Sequence, residues 1–214
     1  MNYPVIILGG GGHAKVLIDA LRLNSIEILG LTDSNSAKYG KMFLGIPVLG
    51  SDEIIEMHAP ESVRLVNGVG TIRDAAHRTR LFERYRHRGY QFANIVHPSA
   101  IIAGDVVLSE GVQIMAGAVI QAGCHIGINT IINTQAAVDH DCLLGNHVHI
   151  SPGVTLCGMV QVGESTHVGS GATVIQGITI GRNSLIAAGS VVIRDVPDAT
   201  MVAGVPAKKM KLKI

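Results

Sequence analysis

The 214-residue chain has no tryptophan, only three phenylalanines and four tyrosines, and just 15 % charged residues. So few rings exclude a bulky aromatic core and favour thin, repetitive layers of small and aliphatic side chains. Nor does one sign of charge dominate: Lys+Arg is 17, Asp+Glu is 16, and the net charge is +1. That balance excludes a nucleic-acid binder relying on bulk charge. With 47 % hydrophobic residues, the low charge also excludes disorder. No apolar run approaches the ~18–20 residues needed to span a bilayer, so membrane insertion is not expected. Val5–Leu8 precedes a glycine run without a basic flank, so no signal peptide is expected either. Three cysteines are too few and too odd for a disulfide scaffold, and fit a reduced cytoplasmic protein. The length allows one or two domains with a sizeable core.

What the chain has is glycine, 26 of them, and two successive periodicities. Residues 1–95 alternate strand-like and helix-like segments. Val5–Leu8 predicts a buried strand, followed by a helix through Val16, Leu17, Ala20, Leu21 and Leu23. Ile26–Thr32 predicts a second strand closed by Asp33, and Val63–Val66 a third. Residues 74–88 read as a helix on Ala75, Leu81, Phe82 and Tyr85, with Arg78, Arg80, Arg84, Arg86 and Arg88 as a solvated face. Tyr90–Ile95 reads as a further strand. Alternating strands and helices imply a small parallel α/β sheet.

From Val96 the period becomes six. Val, Ile or Leu recurs at every sixth position from Val96 through Ile102, Leu108 and Ile114 to Val192, 17 positions without a break. These residues make up roughly a third of the chain, so chance gives such a run odds of about 10⁻⁸. Four residues after each aliphatic comes a small or β-branched residue, as at Ala100, Val112, Cys124 and Ser190. Gly follows the aliphatic directly at 127, 145, 163, 169 and 181. Neither helix nor ordinary strand has this period, so residues 96–214 read as a repeat architecture with a tail.

At the first turn, Gly9-x-Gly11-x-x-Ala14 satisfies the relaxed nucleotide-binding fingerprint, with Asp33 ending the next strand. Glycines let backbone amides approach a diphosphate at a helix N-terminus, where the dipole favours anions. Asp33 is placed to accept hydrogen bonds from a ribose or base. A full dinucleotide domain needs two mononucleotide halves, and ~90 residues supply about one and a half. A nucleotide sugar therefore suits the turn better than NAD.

Among 10 histidines, position selects one for proton chemistry. His140, in Asp139-His140-Asp141, takes the third place of its hexad and should face outward near a corner. One coil of 18 residues away lie Gly158 and Ala122, both small, leaving room for a substrate. Flanking carboxylates raise the basicity of an imidazole. The same spacing also describes a solvated histidine in an acidic turn. His149 and His167, 18 apart, stack on one face. Cys124 and Cys142, also 18 apart, fall at inward positions as packed thiols.

The hexad register resembles the hexapeptide-repeat acyltransferases. That resemblance implies a left-handed parallel β-helix of triangular 18-residue coils at 96–214, behind a Rossmann-like nucleotide-sugar-binding half domain at 1–95. The left hand is implied by the family alone. The Val202-Ala203-Gly204-Val205-Pro206-Ala207-Lys208 tail looks like the family's closing motif. A glycine-turn domain before the helix is similar to the UDP-4-amino-sugar N-acetyltransferases of the bacillosamine type, and to relatives acetylating GDP-perosamine or sialic acid. This implies acetyl-CoA as cosubstrate, a UDP-aminosugar acceptor, and a homotrimer with CoA lying between neighbouring β-helices. Outward Met115, Ile131 and Leu185 are the expected contact face.

By the same resemblance, Gly11, Gly12, His13, Asp33, Ser34 and Gly70 hold the nucleotide part. His140 acts as general base and a neighbouring acid tunes it. The family carries Glu where this chain has Asp141, so whether Asp141 or Asp139 holds the ring stays open. His149, Ser170 and Ala188 fall where the family contacts acetyl-CoA. Asn133 is either an orienting group for the amine or a structural turn residue. Lys208, Lys209, Lys211 and Lys213 either meet CoA phosphates or form a basic end. Cys142 points inward, so transfer should be direct. Two other readings stand beside this one. A zinc hydratase of β-helical type needs a ligand spacing not evident among His125, His140, His147, His149 and His167, so no metal is expected. A non-catalytic nucleotide-sugar-binding protein would bind the nucleotide without releasing CoA thiol.

Overall fold

The computed structural model describes residues 3–71 and 76–210. The expected Ala75, Lys211 and Lys213 positions lie outside the described residues. In the first part, β1 (Val5–Leu8), α1 (Gly12–Leu23), β2 (Ile28–Thr32), β3 (Met42–Phe43), β4 (Ile46–Gly50), β5 (Arg64–Asn67) and α2 (Ala76–Arg86) follow in order. They form one sheet in the order β3-β4-β2-β1-β5, parallel except for the β3–β4 pair. The period of two along β1 sends Val5 and Ile7 to one face, where Ala14, Leu17, Ile18 and Leu21 of α1 cover them. Ile6 and Leu8 face the other side, under Leu81, Phe82 and Tyr85 of α2.

Two local expectations fail here, and one edge was not expected. Val16 and Leu23 of α1 are exposed, because the buried stripe needs only Ala14, Leu17, Ile18 and Leu21. No strand runs over 90–95: Phe92 makes a single bridge to Leu65, and Ile95–Val96 already belongs to the repeat. The β3–β4 edge carries no strong alternating pattern and is absent from the sequence reading.

Beyond residue 94, 17 two-residue strands run from Ile95–Val96 to Val191–Val192, each ending on an aliphatic of the hexad series. They stack into three parallel sheets with a register of 18 residues, as in Ile132↔Ile150 and Val138↔Leu156. The stacked aliphatics and the small residues four positions later fill the interior. A positive φ recurs every six residues from Gly111 to Gly189, three places after each aliphatic. Half of these turn residues are not glycine, among them Asn129 and Asp141, types that tolerate the left-handed region better than most. Two of the three residues of the expected outward face, Met115 and Ile131, are wholly buried, Met115 within the core beneath α1, while Leu185 is half-buried. Neither belongs to the helix interior, and the α/β part covers Met115.

Candidate active site

Helix α1 starts at the glycine turn with Gly11 as N-cap, no side-chain cap and no acid in its first turn. Its first amides are therefore free for an anion. A Cβ placed on Gly11 or Gly12 would meet nothing within 4 Å, so both open onto space. That space is a cleft of about 600 Å³ lined by Gly11, Gly12, His13, Gly70, Thr71, Asn133 and His149. A diphosphate fits it. The expected Gly11, Gly12, His13 and Gly70 thus come together, joined by Asn133 from a β-helix turn. Asp33 sits behind Gly10, whose Cβ would lie 2.7 Å from Asp33 Oδ2. The Asp33 carboxylate accepts from Lys38 Nζ (2.6 Å) and the Asn35 amide (2.9 Å). Burial works to raise its pKa, but the Lys38 and Asn35 hydrogen bonds outweigh it and hold the carboxyl below its usual value. Ser34 is exposed and does not line the cleft.

His13 bridges the two parts of the chain. Its Nε2 lies 2.7 Å from Gln113 Oε1, and Gln113 Nε2 donates to the Asn67 carbonyl. That orientation makes His13 Nε2 the donor. Burial, reinforced by the charge of Arg78, lowers its pKa to about 4. His13 is therefore neutral at pH 7, with its one N–H committed to Gln113.

A second cleft of about 600 Å³ shares Thr71, His149 and Pro152 with the first and is lined by His167, Ser170, Leu185, Ile186, Ala187 and Ala188. All three expected acetyl-CoA contacts, His149, Ser170 and Ala188, meet here. The apolar strip with a few polar groups suits a pantetheine arm and its thioester. Asn133 Oδ1 accepts from the Thr134 amide (2.8 Å), which turns Asn133 Nδ2 toward His149 Nε2 (3.3 Å). His149 Nδ1 is hydrogen-bonded to the Thr71 hydroxyl, and His167 Nε2 lies 3.1 Å from Ser151 Oγ. Burial pushes the pKa of His149 well down and that of His167 down, so both imidazoles are neutral. The side-chain amide of Asn133 is thus committed to the site's own framework.

His140 occupies the turn between the Ala137–Val138 and Leu143–Leu144 strands, on a different corner of the coil from Asn133. Its side chain is 54 % exposed. Asp141, with φ of 59°, curls its carboxylate back so that Oδ2 lies 2.8 Å from His140 Nδ1. Asp139 instead accepts from the His140 backbone amide (2.8 Å). The Asp141 hydrogen bond is the largest influence raising the pKa of His140. A carboxylate can only accept, so Nδ1 carries the proton and Nε2 the lone pair. A Cβ on Gly158 would lie 2.5 Å from that Nε2, so the missing side chain sets the ring's position. Cys124 and Cys142 are buried and free; burial raises the pKa of the former and pushes the latter to about 12.

Sequence reasoning missed three residues of this region. Thr71 and Gln113 carry no motif, and only the packing of the two parts brings Thr71 to both clefts and Gln113 onto His13. Arg78 was expected on a solvated helix face and is instead 2 % exposed, because that side of α2 meets the β-helix. No group of three or more potential metal ligands gathers among the described residues. No helix among them is long and apolar enough to cross a membrane.

Residues 4–85 match the PglD N-terminal domain family, and residues 159–194 match the bacterial transferase hexapeptide (six repeats) family. The structure superposes with a TM-score of 0.91 on a histidine-to-asparagine mutant of perosamine N-acetyltransferase from Caulobacter crescentus, in complex with CoA and GDP-perosamine. The two are 42 % identical, with 97 % of each chain covered. The acetyltransferase domain of PglB from Neisseria gonorrhoeae gives a TM-score of 0.90 at 33 % identity, covering 98 % of this chain and all of the other. Another crystal structure of that domain contains acetyl coenzyme A. GDP-perosamine N-acetyltransferase of Escherichia coli O157:H7 is 27 % identical over 157 residues, which span 72 % of this chain and 60 % of that relative.

Proposed function

The chain belongs to the hexapeptide-repeat acetyltransferase family of the perosamine and PglB N-acetyltransferases, with a left-handed β-helix, and from that premise we propose that it acetylates the amino group of a nucleotide-linked 4-amino-4,6-dideoxy sugar. Acetyl-CoA supplies the activated acetyl group as a thioester. GDP-perosamine is the acceptor we favour, because relatives at 42 % and 27 % identity are named for it. A UDP-linked aminosugar of the bacillosamine type is the competing acceptor for the same cleft.

The observation that carries the reading is His140: a half-exposed imidazole with Nδ1 held by Asp141 and its far edge seated where a side chain at Gly158 would stand. Nε2 takes a proton from the amine as it attacks the thioester carbonyl, Asp141 stabilises the imidazolium that forms, and as the C–S bond breaks the imidazolium returns that proton to the departing CoA thiolate. With the inward Cys124 and Cys142 thiols kept protonated by burial, transfer passes directly between the two substrates. The nucleotide lies along the Gly11–His13 turn, with Asp33 toward the ribose or base. The cosubstrate lies along His149, Ser170 and Ala188.

His140 lines neither cleft of its own chain, which supports a homotrimer in which His140 of one copy serves the clefts of its neighbour. Three free cysteines support a reducing, cytoplasmic setting. The test is release of CoA thiol with acetyl-CoA against GDP- and UDP-linked aminosugars and free sialic acid, with mass measured by light scattering. The account expects turnover with a nucleotide-linked amine and a trimeric mass. Turnover with sialic acid alone would make the product an O-acetyl ester, and nucleotide binding without thiol release would make the protein a sensor.

A further inference from the structure

Arg78 is the least expected residue of the fold. It lies on α2, 2 % exposed, between the sheet and the β-helix. Its Nη1 donates to the carbonyls of Asn67 (2.8 Å) and Val69 (2.7 Å), and Nε and Nη2 reach the Asn129 carbonyl at 3.4 and 3.3 Å. Each of these partners is a neutral carbonyl. Among the described residues no carboxylate lies within ion-pairing distance of this guanidinium. A buried cation held, among the described residues, by neutral carbonyls alone is costly, and a compensating charge lowers that cost.

The compensation has an obvious place to come from. Asn67 and Val69 flank Gly68, and Gly68, Val69 and Gly70 form one wall of the glycine cleft. The opposite wall is the uncapped N-terminus of α1. We propose that Arg78 is the buried counter-charge of this cleft: its guanidinium pins the Asn67–Val69 segment, and its positive charge is neutralised by the diphosphate of the bound nucleotide sugar. Its field already reaches the cleft, since the same charge lowers the proton affinity of both His13 and His149, which line it. Burial lowers the pKa of Arg78 to about 9, which leaves it cationic at neutral pH. Arg78 is thus a positioning residue, acting through the wall it holds and the field it projects.

The inference rests on the cleft being the nucleotide-sugar site, and the test separates the two. Dissociation constants for GDP and guanosine, and for UDP and uridine, are measured by calorimetry on the wild type, Arg78→Gln and Arg78→Lys. The wild type should prefer the diphosphate over its nucleoside. Arg78→Gln should lose about tenfold or more of that preference, about 1.4 kcal/mol, with nucleoside affinity changed far less. Arg78→Lys keeps the charge and should keep the preference within about threefold. If Arg78→Gln does not fold, the lysine variant decides alone: a lost preference overturns the charge account. Equal weakening of diphosphate and nucleoside reduces Arg78 to a structural brace and also overturns it. A wild type that binds neither diphosphate removes the reading of the cleft itself, and the inference with it.

Discussion

In the β-helix every sixth residue performs the same task, whereas in the α/β part each element is shaped by its own neighbours. Ile132, Ile150 and Val168 differ little in environment: each ends a strand, points inward and stacks on the next coil. Leu17 and Val16 are adjacent on α1, yet one is wholly buried and the other is exposed at the rim of a cleft. The lesson is where polar groups can go. A repeat that buries two residues in six the same way leaves its turns free to carry chemistry, as at Asp139–Asp141. The α/β part and its contact with the helix instead bury polar groups and must satisfy each one individually, as with His13, Arg78, His147 and His149.

The sharpest break between the regions should come from His140→Ala. The ring is open and packs on no core side chain, so kcat should fall by ~10²–10⁴ with an unchanged melting curve. Loss of folding together with activity would show that the turn is structural. Next is Gly158→Ala: its Cβ, 2.5 Å from Nε2, forces the ring aside and should cut kcat by about tenfold, while CoA affinity holds. Wild-type kcat in that variant would mean the ring has more than one productive position.

The junction is tested by acid. His13, His147, His149 and His167 all have depressed values in the folded chain, with burial as the leading cause. A histidine depressed on folding contributes stability that is present above its unfolded value near 6.5, and that is lost as pH falls toward the folded value. For His13 that window runs from 6.5 down to about 4. Melting followed by circular dichroism should drop by roughly 5–10 °C between pH 7 and pH 5. Limited proteolysis should then cut the α/β part while the coils persist. A melting temperature flat over that interval would mean these rings are not buried neutral. The smallest effect belongs to Asp141→Asn, which keeps the left-handed turn but removes the charge. His140 must be deprotonated to act, so the rate rises with pH through its elevated pKa, and the variant should move that rise to lower pH.

Much of this was legible in advance, for a physical reason. A strict period of six leaves each side chain one orientation, so the strands, the packed cysteines, the Gly158 neighbour and the stacking of His149 on His167 all follow from counting. The glycine turn was legible because passing from a strand into a helix through a residue with φ of 92° favours glycine at position 9. What failed lies at the contact between the two parts. Met115 and Ile131 read as an open apolar face and Arg78 as a solvated one, because periodicity assigns a residue to a face but not what covers that face. Asp141 rather than Asp139 holds the ring because of a backbone φ of 59°, which a pattern of residue types does not specify.

The central claim is that the base and the substrate clefts meet only between copies. Mixing two inactive variants tests it: His140→Ala, which keeps its cleft, and Gly12→Leu, whose side chain would stand in that cleft while its His140 stays intact. After unfolding and refolding in equal amounts, random assembly should restore about a quarter of the wild-type sites. Activity no higher than that of either variant alone would place base and cleft within one chain and contradict the account.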